Sequence, residues 1–276
     1  MNDLLTRVLT GAIFVIIITA AVFFNEISFG VVFSAIAVLT LVEFEKIIKD
    51  KYNIRIAYIP YVICGGCLVF GSFAHYCFNS DIFLYASILA FLILCITEIY
   101  RPNNDAESIT AYHRITPALF GIAYICLPFA LFMTIPYMTN NEVYQPELVF
   151  FPLLMIWVND SFAYLCGVSF GKHKLFPRVS PKKTWEGLIG GGVLTISAAA
   201  AIAPLFPNLT IVYAIVVATI VTVFGTFGDL FESMLKRSMK IKDTGAILPG
   251  HGGLLDRFDS LLFVAPVLFI YLKCIN

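Results

Sequence analysis

The chain has 276 residues, 59% of them hydrophobic and 13% charged, with a formal net charge of zero. A soluble domain carries about 25% charged residues, so this composition excludes an ordinary soluble enzyme and predicts a chain that crosses a membrane many times. A balanced net charge gives no reason to expect a nucleic-acid partner.

An apolar run of about 20 residues spans a bilayer. About nine such runs follow one another, at roughly 7–24, 28–44, 57–77, 81–99, 114–138, 149–168, 187–205, 208–228 and 259–275. The expected fold is therefore all-α: a polytopic membrane protein with about nine transmembrane helices. The first run leads into Phe23-Phe24-Asn25-Glu26 with no small-residue cleavage site, so it reads as a retained helix and not a signal peptide.

The basic residues alternate from loop to loop. Arg7 precedes the first run; Lys46, Lys49, Lys51 and Arg55 follow the second; Arg101 and Arg114 follow the fourth. Lys172, Lys174, Arg178, Lys182 and Lys183 follow the sixth, and Lys236, Arg237, Lys240, Lys242 and Arg257 follow the eighth. Of the Lys and Arg residues only Lys273 falls elsewhere, and the remaining loops carry Glu26, Asp81, Glu142 and Glu147. The positive-inside rule predicts a cytoplasmic N-terminus and an outside C-terminus. Most of the seven cysteines lie in apolar runs. Cys64-Gly-Gly-Cys67 reads as small packing residues, because no basic or polar neighbour would activate a thiolate.

Residues 1–150 read as nearly featureless transmembrane helices with short loops, and Lys46 to Arg55 as a solvated loop. Residues 151–276 read as a transmembrane catalytic region. Asp160, in Trp157-Val158-Asn159-Asp160, lies within a span, where an acid costs roughly 2.5–3.5 kcal/mol and suggests function. Ser180-Pro181-Lys182-Lys183-Thr184-Trp185-Glu186-Gly187 puts two cations at the mouth of the seventh span. Pro181 and Thr184 there suit the first turn of a helix, where free N–H groups favour phosphate. Glu186 is expected to hold a metal or to pair with Lys182 or Lys183.

In the run Gly225 to Lys236, helical spacing puts Asp229, Glu232, Ser233 and Lys236 on one face. Gly225 and Gly228 would let another helix or a substrate approach closely. Asp256 and Asp259 are one turn apart at the start of the ninth span, a spacing suited to a divalent metal or to helix capping. Residues 233–259 gather cations, carboxylates and glycines at a membrane edge, which suits phosphate handling. His251, alone among glycines, reads as a phosphate or structural contact before it reads as a base.

The pattern Ser233-x-Leu235-Lys236-Arg237, then four residues, then Lys242-Asp243-x-Gly245-x-x-Leu248-Pro249-x-His251-Gly252-Gly253-Leu254-x-Asp256-Arg257-Phe258-Asp259 resembles the signature of the phosphatidate cytidylyltransferase (CDP-diglyceride synthase) family. The stretches around Asp160, Lys182 to Gly187 and Asp229 to Ser233 are similar to that family too. The resemblance implies transfer of a cytidylyl group from CTP to phosphatidic acid, giving CDP-diacylglycerol and pyrophosphate. It also implies a Mg2+-dependent enzyme of the cytoplasmic membrane, often dimeric, with a second ion, monovalent or divalent, beside the first.

Carried over by motif, Asp229, Asp256 and Asp259 would hold metal with Asp160 as helper, and Lys236 would join the three acids in catalysis. Lys182, Lys183, Thr184, Ser233, Arg237, Lys242, His251, Gly252, Gly253 and Arg257 would contact the substrates on the cytoplasmic side. Two rivals remain open. One is a CTP-dependent prenol- or dolichol-type kinase, or a cytidylyltransferase for another lipid phosphate. The other is an ion-coupled transporter, against which the one-sided clustering of acids speaks.

Overall fold

A computed structural model describes residues 3–101, 110–139, 142–245, 250 and 252–275. The protein is an all-α polytopic membrane protein. Among the described residues, eight helices are long and apolar enough to cross a membrane. They are α2 (Glu26–Tyr52), α3 (Tyr58–Cys77), α4 (Ile82–Tyr100), α5 (Ala111–Tyr137), α6 (Glu147–Phe170), α7 (Trp185–Leu205), α8 (Ile211–Ser238) and α9 (Leu255–Ile275). The first helix, α1 (Asp3–Phe24), has a shorter apolar part, Val8–Phe24. Each of the nine runs in the sequence thus corresponds to a helix.

One feature departs from the all-helical expectation. Lys174–Phe176 (β1) and Ser180–Thr184 (β2) form an antiparallel hairpin between α6 and α7, pairing Lys174 with Thr184 and Phe176 with Ser180. The strands are three and five residues long, too short to leave a readable alternation. Pro181 adds a local bias, since it drives the residue before it out of the helical region.

The chain forms two compact units, Met1–Thr134 with Asp243–Arg257, and Ile135–Lys242 with Phe258–Asn276. In the first unit α1 and α2 are separated by Asn25. Its Oδ1 accepts the Ser28 amide at 2.7 Å, while Ser28 Oγ accepts the Asn25 amide at 3.2 Å. This reciprocal cap satisfies donors that a helix start leaves open, and so restarts the helix in one residue. Phe29, Phe33 and Phe132 form an aromatic core with ring centroids 5.0 to 6.0 Å apart. Toward the opposite end of α5 lies a buried ion cluster: Arg114 Nε meets Glu98 Oε2 at 2.5 Å, and Arg101 Nη1 meets Glu98 Oε1 at 2.8 Å.

In the second unit Phe151 of α6 packs on Phe206 and on Tyr213 of α8. Asn159 of α6 is buried, and its Oδ1 accepts from Thr222 Oγ1 at 3.2 Å and from Thr195 Oγ1 at 3.4 Å. One amide oxygen thus ties α6, α7 and α8 together next to Asp160. A π-turn at Val221–Gly225 interrupts α8 just before Asp229. Such turns widen the helix locally and recur at functional sites.

Arg114→Leu leaves the buried Glu98 with Arg101 as its remaining cation. We expect it to destabilise the protein by about 3 kcal/mol, read as a lowered midpoint in denaturant unfolding in micelles. An unchanged midpoint would show that Glu98 does not depend on Arg114.

Candidate functional site

The second unit holds a cavity of about 560 Å³ lined by Asn159, Asp160, Lys182, Lys183, Thr184 and Asp229 among others. Three elements and one hairpin build it. From α6 come Asn159, fixed by its threonine partners, and Asp160 beside it. From β2 come Lys182 and Lys183. Thr184 ends the strand and caps α7, its Oγ1 accepting the Gly187 amide at 3.1 Å. The two lysines therefore stand on a strand, not in the first helical turn that the sequence suggested, and Thr184 is the cap of that helix.

From α8 comes Asp229. Lys183 Nζ lies 2.6 Å from its Oδ2, and Ser233 Oγ donates to its Oδ1 at 3.2 Å. One turn on, Lys236 Nζ meets the buried Glu232 at 2.6 Å. The face expected from helical spacing is thus present, with its acids already neutralised along it. Arg237 turns to the carbonyl of Ile241 at 3.3 Å, and Lys242 is exposed.

Asp259, half-buried on α9, accepts the Ser260 amide at 2.6 Å. It is near enough to Asp160, Asp229 and Lys183 to feel their charges. A glycine brings it there. A Cβ on Gly228 would stand 2.5 Å from the Asp259 carbonyl oxygen, so only a residue without one lets α8 meet this turn of α9. Ser260 Oγ then donates to the Gly225 carbonyl at 3.1 Å. Among the described residues, no three Asp, Glu, His or Cys side chains converge closely enough to enclose a metal ion by themselves.

Glu186 has other partners than those expected. It accepts the amides of Lys172 at 3.1 Å and His173 at 3.1 to 3.2 Å, and meets the His173 ring at 2.6 Å. This carboxylate closes the base of the hairpin and pairs with neither Lys182 nor Lys183.

The rest of the signature belongs to the first unit. Asp256 Oδ2 accepts the Thr244 amide at 3.0 Å, the Thr244 hydroxyl at 2.9 Å and the Gly253 amide at 2.8 Å. Gly252 has φ +82°, a left-handed conformation that glycine adopts without strain. Arg257 is exposed, and His251 lies outside the described residues. Glu43 of α2 also holds this turn, and the sequence reading missed it. The signal was there: an acid inside a predicted span, the same argument that singled out Asp160.

A model of the cytidylyltransferase family matches residues 5–275. A phosphatidate cytidylyltransferase of Bacillus subtilis (strain 168) is 34% identical over 274 residues, covering 99% of this chain and 98% of that protein. Phosphatidate cytidylyltransferases of Staphylococcus haemolyticus (strain JCSC1435) and Staphylococcus aureus (strain COL) are 44% and 43% identical over 157 residues, covering 56% of this chain and 57% of each relative.

Gly228→Val puts two methyl groups where α8 and α9 touch. We expect it to lower stability by about 1–3 kcal/mol, measured as the unfolding midpoint in micelles. A midpoint equal to wild type would mean that the two helices do not need this close approach.

Proposed function

The chain belongs to the cytidylyltransferase family, and from that premise we propose that it transfers a cytidylyl group from CTP to phosphatidic acid, releasing pyrophosphate and forming CDP-diacylglycerol. The observation that carries this reading is the cavity with Lys182, Lys183 and Asp229 on its wall. Two polyanions must meet for this reaction, so charge neutralisation is the main task of the protein.

In this reading a phosphate oxygen of phosphatidic acid attacks the α-phosphorus of CTP in line. An O–P bond forms, the bond from the α-phosphorus to the bridging oxygen breaks, and the electron pair leaves with pyrophosphate. Lys182 and Lys183 draw the phosphates to the cavity. Ser233 and Lys183 hold the Asp229 carboxylate in one orientation. Lys236, Arg237 and Lys242 are proposed to offer further positive charge, and Gly252, Gly253 and Arg257 to contact substrate phosphates.

Magnesium is part of the proposal. The donors of the second unit are carboxylate oxygens, which suit a hard cation, and Mg2+ commonly binds through one or two carboxylates plus phosphates and water. Asp229 and Asp259 would hold it, with Asp160 close by. When bound, it supplies neutralisation of the charge that builds on pyrophosphate. Asp256 keeps the catalytic role that the motif suggests.

A cytoplasmic site in the cell membrane is supported by the alternation of basic loops and by the bacterial relatives. Pairing into a homodimer belongs to the same reading on the resemblance alone.

Purified protein given CTP labelled at the α-phosphate, phosphatidic acid and Mg2+ should place label in extracted lipid, and omission of either the lipid or the metal should abolish it. Transfer of γ-label instead would identify a kinase. Asp229→Asn and Asp256→Asn should each lower kcat about 100-fold or more while the protein stays folded; an active variant would remove that acid from the reaction. A C-terminal tag should be reachable from outside in intact cells, and access only after lysis would reverse the orientation.

A further inference from the structure

Glu43 is a buried acid of the first unit. It lies on α2 and is 5% exposed. Its Oε2 accepts the Leu254 amide at 2.8 Å, and its Oε1 accepts the hydroxyl of Thr244. Both partners are more than 200 residues away in sequence and flank the turn that ends in Asp256.

The turn is shaped to receive this carboxylate. A Cβ on Gly253 would overlap Glu43 Oε1, and one on Gly245 would stand 2.9 Å from its carboxyl carbon. The need here is space: the backbone of two glycines lies flush on the acid.

Thr244 then links the two acids. Its hydroxyl contacts Glu43 Oε1 and lies 2.9 Å from Asp256 Oδ2. A hydroxyl has a single hydrogen, so it cannot donate fully to both carboxylates at once. Its orientation couples Glu43 to Asp256. An acid inside a span is costly, and an apolar residue of similar volume often stabilises a buried site better than a charged group. Stability alone therefore gives little reason for an acid at position 43. Geometry gives one: the two carboxylate oxygens accept one bond each, Oε2 from the Leu254 amide and Oε1 from the Thr244 hydroxyl.

We propose that Glu43 is a positioning residue for the reaction, holding Thr244 and Leu254 so that the carboxylate of Asp256, which accepts from Thr244 and Gly253, keeps one orientation. The kinetic part rests on the cytidylyl-transfer reading above. Glu43 touches neither substrate nor reacting atoms in this account. It acts through Asp256.

The test uses the full chain in micelles and the variants Glu43→Gln, Thr244→Val and Thr244→Ser. Three quantities are read: kcat with KM for CTP, the unfolding midpoint, and amide hydrogen exchange of peptides from 242–256 against peptides from α2 to α4. Glu43→Gln and Thr244→Val should lower kcat about 10–100-fold, the usual effect of removing a group that orients a reacting ligand. KM for CTP should stay within about twofold, and faster exchange should be confined to 242–256. Thr244→Ser, which keeps the hydroxyl, should restore kcat to within about threefold.

The proposal is overturned if kcat is unchanged while the turn loosens. It is also overturned if activity falls only in step with folded protein while exchange rises through α2 to α4, the mark of a merely structural acid. If wild type labels no lipid, the cytidylyl-transfer reading fails by itself. The exchange arm needs no substrate and then decides: unchanged exchange in 242–256 overturns the positioning role, and confined loosening upholds it.

Discussion

A carboxylate inside a membrane span must be met by donors, or it costs several kcal/mol to bury. This constraint organises each unit of the protein. Glu98 is met by Arg114 and Arg101, Glu232 by Lys236, and Asp229 by Lys183 and Ser233. Glu186 is met by two amides and a histidine, and Glu43 by an amide and a hydroxyl. In a chain with so few charges, Glu43, Glu98 and Asp229 each explain why a distant segment stands where it does.

The compensation differs between the cavity and the turn at Asp256 in a way that suits different work. At the cavity Asp229 faces Lys183, a group that phosphates attract as well. Such pairs can be exchanged when a polyanion arrives, because the lysine trades one anion for another. In the first unit Glu43 and Asp256 take backbone amides and one hydroxyl. These neutral donors have no competing anion to follow, and they give the turn a fixed shape. An exchangeable counter-charge suits a cavity that receives phosphates, and neutral donors suit a turn that must keep its shape.

Much of this was legible in the sequence, because hydropathy and helical spacing are local properties. The spans follow from apolar runs, and the Asp229–Ser233 and Glu232–Lys236 contacts follow from an i, i+4 spacing. The close approach at Gly228 is also readable, since a Cβ there would collide with the next helix; Gly253, read as a substrate contact, lies against Glu43. The partners were not readable. Nothing local joins Glu43 to Leu254, or Glu186 to His173. The hairpin was missed because three- and five-residue strands carry no period, and Thr184 was placed inside a helix that it caps. A division of the chain at residue 150 likewise gave no hint that Asp243–Arg257 packs with the N-terminal helices, since only tertiary contacts decide that.

The hairpin has one more consequence. Both Lys182 and Lys183 line the cavity, although adjacent residues on a regular strand point to opposite sides. The pairing of Lys174 with Thr184 and of Phe176 with Ser180 shifts register between its two ends, and such an irregularity bends a strand and re-aims its side chains. The kink in that short ribbon is as much a part of the site as the cations it carries.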